Sequence, residues 1–122
     1  MGGSVESPIK GFSHLQLRVT DLDASAAWYM AALGLTKSAE ADDYVALQGA
    51  GGRYTVVLSP GGTDAHDLDH IAFAVRDPDE LAAWGEQLTA AGIDHEGPMK
   101  TRQGTEIHLL DPDGLEIELI SG

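Results

Sequence analysis

The chain has 122 residues, 43% of them hydrophobic, with 20 acidic against 7 basic side chains and a formal net charge of −13. That length supports one compact domain with a buried core, and that charge disfavours nucleic acid and anionic membrane surfaces as partners. Cysteine is absent, which excludes disulfides and thiol chemistry and fits a cytoplasmic protein, and no apolar run reaches the length of a membrane span.

Residues 1–10 read as a flexible leader ahead of a single domain over 11–122. Phe12 to Val19 alternates apolar and polar residues, the period of a strand. Asp21-Leu22-Asp23 supplies turn and N-cap chemistry, the Ala-rich stretch Ala24 to Leu33 is predicted as a helix, and Gly34 ends it. Two short strands follow, near Tyr44 to Leu47 and Tyr54 to Ser59, joined by Gly49-Ala50-Gly51-Gly52. Pro60-Gly61-Gly62-Thr63-Asp64 is then the best linker candidate.

After the linker the pattern restarts. Ser13-His14-Leu15-Gln16-Leu17-Arg18-Val19 is echoed by Asp69-His70-Ile71-Ala72-Phe73-Ala74-Val75. Asp21, Asp23, Ala26-Ala27 and Trp28 recur as Asp77, Asp79, Ala82-Ala83 and Trp84. Seven of the sixteen positions from 13 to 28 are identical at this one offset, which points to an internal duplication. The second copy continues with a helix over about residues 80–91, a stop at Gly92 and a strand near His95. It closes with a hairpin turning at Asp111-Pro112-Asp113-Gly114.

The predicted fold is therefore α+β: two βαβββ modules, 11–60 and 68–122, whose curved mixed sheets form a concave cavity with the helices outside. Neither module alone can bury both faces of its sheet, so pairing of modules within the chain or across a homodimer follows. Core packing is expected of Trp28 and Trp84, which lie on those helices.

In the last strand Leu115, Ile117 and Leu119 point one way into the core, while Glu116 and Glu118 point the other way. His14 and His70 hold equivalent places at the starts of the two first strands. If equivalent strands meet about a pseudo-two-fold axis, two imidazoles and Glu118 converge as a 2-His-1-carboxylate set with open positions for water or substrate. The other reading is equally physical: a duplication copies hydrogen-bonded structural histidines too, and Glu118 alone can be a surface carboxylate.

The chain also resembles the vicinal oxygen chelate superfamily, which includes glyoxalase I, extradiol dioxygenases, fosfomycin resistance proteins and bleomycin-binding proteins. The resemblance runs from Phe12 to Ser121. It is carried by His14 to Leu22, by Trp28-Tyr29 before Leu33-Gly34-Leu35, by Asp69 to Phe73, and by Asp111-Pro112-Asp113-Gly114 leading into Ile117-Glu118-Leu119. It implies metal ligation by His14, His70 and Glu118, with Glu118 rather than Glu116 as the ligand four residues after the hairpin glycine.

Glyoxalase I takes a fourth protein ligand from the first copy. Superposing Gly52 on Gly114 puts Val56 opposite Glu118, and no Glu or Gln lies from Tyr54 to Ser59, which argues against glyoxalase-type proton transfer. Where fosfomycin-modifying and ring-cleaving members often carry Tyr, three residues before the turn, this chain has His108.

These observations predict a small metal-dependent enzyme acting on a small oxygen-chelating substrate, with extradiol-type dioxygenation favoured. Fe(II) is the favoured metal, and Mn(II), Ni(II) or Zn(II) also suit the ligands. His108 is the candidate catalytic acid or base, against the alternative of a cross-strand partner for a carboxylate. Tyr44, Tyr54, Lys100 and Arg102 are the candidate substrate contacts. A homodimer is expected, with sites shared between subunits. The rival reading is a metal-free protein that sequesters an antibiotic in the same groove, which 6% aromatic content does not favour.

Overall fold

A computed structural model describes residues 7–8, 12–63 and 68–122; His66 and most of the expected leader lie outside them. The elements run β1 (His14–Val19), α1 (Leu22–Leu33), β2 (Thr36–Ala41), β3 (Tyr44–Gly49) and β4 (Tyr54–Pro60). They continue with β5 (His70–Ala74), α2 (Pro78–Ala90), β6 (Glu96–Thr101), β7 (Gly104–Leu110) and β8 (Glu116–Ser121). Each half is thus the predicted βαβββ unit. β2, which carries no apolar alternation and is exposed throughout, is the strand the sequence left unlocated.

Capping chemistry sets the helix ends. Asp21 accepts from the Ala24 amide at 3.0 Å and Asp77 from the Glu80 amide at 2.8 Å, each satisfying an otherwise orphaned N–H of the first turn. Pro78 opens α2, where a missing amide hydrogen costs nothing. Gly34 stops α1 with φ of 69°, a left-handed conformation that an L side chain resists.

The strands form two four-stranded sheets ordered β1-β4-β3-β2 and β5-β8-β7-β6, in which the first strand of each module lies parallel to its last. Period-2 alternation divides each sheet into two faces. Leu17, Val19, Val45, Leu47, Val56 and Leu58 of the first sheet, and Ile107, Leu109, Ile117 and Leu119 of the second, point to the helix-covered side and share one core. The opposite face carries His14, Gln16 and Val57 in the first sheet. In the second it carries His70, Glu106, His108, Glu116 and Glu118.

The modules are joined on the helix side. The Trp84 indole N–H donates to the Ala32 carbonyl at 2.9 Å, and its ring lies so close to Gly34 that a Cβ there would meet it at 3.1 Å. The Asp-Pro-Asp-Gly turn does more than reverse the chain. Asp111 Oδ1 accepts from the amides of Asp113 and Leu115, while its Oδ2 accepts from the buried Tyr29 hydroxyl at 2.6 Å. Asp113 accepts both the amide and the hydroxyl of Thr20. Of these two nearly buried carboxylates of the second module, Asp113 is thus satisfied by the first module and Asp111 partly by it.

Candidate metal centre

Register brings the polar side chains of the second sheet together. His70 pairs with Glu116 and Ala72 with Glu118 across β5 and β8, while His108 pairs with Glu118 across β7 and β8. His70 Nε2 lies 2.6 Å from Glu118 Oε2. The other ring nitrogen, Nδ1, lies 2.6 Å from Asp69 Oδ2, which orients the imidazole toward Glu118. His14 repeats the relation in the first module: its Nδ1 lies 3.1 Å from Ser13 Oγ, leaving Nε2 pointing away from its neighbour. The residue before each histidine therefore holds the same ring nitrogen in both copies.

His14 itself is not brought to His70 within one chain. β1 and β5 belong to different sheets, and His14 joins no cluster of convergent donor atoms among the described residues. The two such clusters both lie in the second module: Asp69, His70 and Glu116, and Glu106, His108 and Glu118.

The internal repeat also corrects a register. His14 pairs with Thr55 where His70 pairs with Glu116, so the first-module counterpart of Glu118 is Val57, not Val56. Val56 faces the core and is 1% exposed. Superposing turn glycines misplaces the strand by one residue because the first module turns through a 3-10 segment, Ala50–Gly52, and the second through a tight Asp-Pro-Asp-Gly turn. The counterpart is apolar either way, so the first module offers no carboxylate on β4.

His108 stands between three carboxylates. Its Nε2 is 2.7 Å from Glu106 Oε1 and 3.2 Å from Glu118 Oε1, and its Nδ1 is 3.2 Å from Glu116 Oε1. Burial lowers its proton affinity, but the Glu106 contact and the Glu118 and Glu116 charges outweigh this and raise it above the ordinary histidine range. The Asp69 contact, helped by the Glu118 charge, raises that of His70. Glu106 is 3% exposed and accepts from the Thr101 hydroxyl at 2.6 Å; that bond, with the His108 contact, holds its carboxyl below the usual range. Burial and contact with Glu106 push Glu118 the other way, against the pull of His70 and His108.

Glu106 and Asp69 were not singled out as site residues by sequence, and Glu116 was weighed only to be set aside in favour of Glu118. Glu106 carries a legible signal, since it lies two residues before His108 on the same strand face.

The candidate substrate contacts scatter. Tyr44 shares the uncovered side of its sheet with Gln48 and Thr55 but lies four residues along β3 from Gln48, away from the row of His14. Tyr54 points to the helix side, its ring 5.8 Å from Phe73, and lines a cavity of about 450 Å³ at the seam between the modules with Trp84 and Leu119. Lys100 alternates with Met99 and Thr101, which share the Glu106 side, and so faces away from the histidines. Arg102 is exposed in the turn between β6 and β7. A second cavity, of about 380 Å³, opens beside His108 between Asp94, His95, Glu96, Leu110 and Glu116.

The donor types are ones that could hold a divalent ion. An oriented imidazole nitrogen and a carboxylate oxygen from neighbouring strands point at one place on an accessible face, with a carboxylate fixing the back of the ring. No helix among the described residues is long and apolar enough to cross a membrane.

No curated protein sequence matches the chain. Solved structures do. A glyoxylase/bleomycin resistance protein/dioxygenase domain from Frankia sp. EAN1pec is 29% identical, with 93% of each chain covered and a TM-score of 0.79. A lactoylglutathione lyase from Agrobacterium tumefaciens is 21% identical over 95% of this chain and 96% of its own, also at 0.79. The fosfomycin resistance protein FosX from Listeria monocytogenes, in a complex with Mn(II) and sulfate, is 24% identical over 93% of this chain and 91% of its own, at 0.74. The last two likenesses establish the fold alone. A family model matches residues 11–119, and the chain belongs to the Glyoxalase/Bleomycin resistance protein/Dioxygenase superfamily.

Proposed function

We propose that this chain is a small divalent-metal-dependent enzyme acting on a small substrate that presents two adjacent oxygens. His70 and Glu118 are ligands from one chain, and His14 comes from a second copy in a homodimer. The observation that carries the reading is the convergence of His70 Nε2 and Glu118 Oε2 at 2.6 Å, with Asp69 holding the far side of the ring. A divalent ion bound there supplies Lewis acidity, polarising the substrate oxygens and stabilising negative charge that develops on them. The chain does the rest. Asp69 keeps the His70 ring aimed, and His108, held by Glu106 and Glu116, carries a proton next to Glu118 for transfer to or from substrate.

Val57, in the place of a fourth ligand, supplies no donor, so an ion held at this site would have positions open for a bidentate substrate and a further small molecule. That favours extradiol-type dioxygenation with Fe(II), with Mn(II), Ni(II) and Zn(II) as alternatives. The Mn(II) complex of FosX supports a divalent site on this fold. Tyr44, on the uncovered face of the first sheet, and Arg102, in its exposed turn, remain candidate substrate contacts; Tyr54 and Lys100 face elsewhere. The composition and fold suit a cytoplasmic protein.

Metal content by mass spectrometry on tag-free protein, beside His70→Ala, tests the centre. The expected result is one divalent ion fewer per chain in the variant than in the wild type. Oxygen uptake by the Fe(II)-loaded protein with a catechol then tests the reaction. Metal binding without oxygen uptake sinks the dioxygenase reading and leaves the metal centre standing.

A further inference from the structure

His70 and Glu118 use only one oxygen of the Glu118 carboxylate. The other, Oε1, faces His108 Nε2 at 3.2 Å, and the same nitrogen lies 2.7 Å from Glu106 Oε1. Donor atoms of Glu106, His108 and Glu118 all lie within 4.8 Å of one another.

Three features set this group apart from a solvated acidic patch. Glu106 is nearly fully buried, so its charge is not dispersed by water. His108 has the relation already seen at His70: a carboxylate, Glu116, contacts Nδ1 while Nε2 points at the other donors. Finally, Glu106, Glu116 and Glu118 lie on one sheet face, and the ion pairs they make among the described residues are all with His70 and His108, none with Lys or Arg.

We propose that the second module holds a further divalent cation between Glu106, His108 and Glu118, with Glu118 bridging it to the ion at His70. The site takes a borderline cation such as Zn(II), which accepts imidazole and carboxylate together. It shares Glu118 with the centre proposed above but needs neither His70 nor His14. An imidazole that gives its Nε2 lone pair to an ion no longer exchanges a proton there, so filling this position opposes the proton-transfer role of His108.

The test is Zn(II) stoichiometry by equilibrium dialysis and mass spectrometry on tag-free wild type, His70→Ala, Glu106→Gln and His108→Gln, with circular dichroism to check that each variant folds. His108→Gln, at a half-buried position, keeps the test decisive if Glu106→Gln does not fold. The expected result is two ions per chain in the wild type and one in each variant. One ion in the wild type, lost in His70→Ala and kept in Glu106→Gln and His108→Gln, overturns the second site and leaves the first standing. One ion lost in Glu106→Gln or His108→Gln but kept in His70→Ala supports this site and overturns the first. No binding at all overturns both.

Discussion

Tyr29 is fully buried, and its hydroxyl donates to Asp111 at 2.6 Å. Removing the hydroxyl leaves a buried carboxylate oxygen short of its partner, so Tyr29→Phe is expected to cost about 1–3 kcal/mol, read as a lower urea midpoint. Burial and the neighbouring Asp111 raise the phenol far above its ordinary value of 10.0. The sign follows directly. Below pH 10 the phenol is protonated in both states and its contribution is fully present. Above pH 10 only the unfolded state releases the proton, so stability falls as pH rises. Urea midpoints measured from pH 8 to 11 should decline steeply at the alkaline end in the wild type and less in Tyr29→Phe; equal declines would assign the effect to other groups.

Among the elements, helix ends are where sequence reading was most literal. Capping chemistry was legible in Asp21-Leu22-Asp23 because an N-cap is a local bond, between a carboxylate and an amide three residues away. The helices nonetheless start at Leu22 and Pro78 rather than at Ala24 and about residue 80, with Asp21 and its repeat Asp77 as the caps. Asp77→Ala is expected to cost about 1 kcal/mol by chemical denaturation. Gly34 was legible as a stop, but not as the floor beneath Trp84. With φ of 69° and a Cβ only 3.1 Å from the indole, Gly34→Ala combines left-handed strain with crowding and should cost about 1–2 kcal/mol or more. A thermal midpoint unchanged from wild type would refute that geometry. β2 escaped notice because an exposed edge strand needs no apolar period, and β4 was placed a residue out of register because two different turns lead into equivalent strands.

At the scale of the molecule, His14 and His70 lie on different sheets, and His14 joins no cluster of convergent donor atoms among the described residues. The proposed sharing of the centre between two copies gives a complementation test. His14→Ala and His70→Ala chains, each unable to build the site alone, should recover metal binding when unfolded together and refolded as mixed dimers. One interface of the hybrid then has both histidines intact. Recovery of nothing, in a preparation that sedimentation shows to be dimeric, would rule out sharing between subunits. The clamp of Asp111 and Asp113 on Tyr29 and Thr20 ties the second module to the first within the chain.

What the sequence determined by itself was whatever rests on local spacing or on repetition. The duplicated strand-helix pattern, the capped helices, the hairpin, and the sharing of one face by Glu116 and Glu118 all follow from periods of 2 and 3.6 and from turn chemistry. Only the tertiary structure decided which side chains meet across strands. Register, set by hydrogen bonding between segments far apart in the chain, put Glu106 and Asp69 around the two second-module histidines and turned Tyr54 and Lys100 away from them. It also made Val57, rather than Val56, the counterpart of Glu118, because a shift of one residue exchanges the two faces of a sheet.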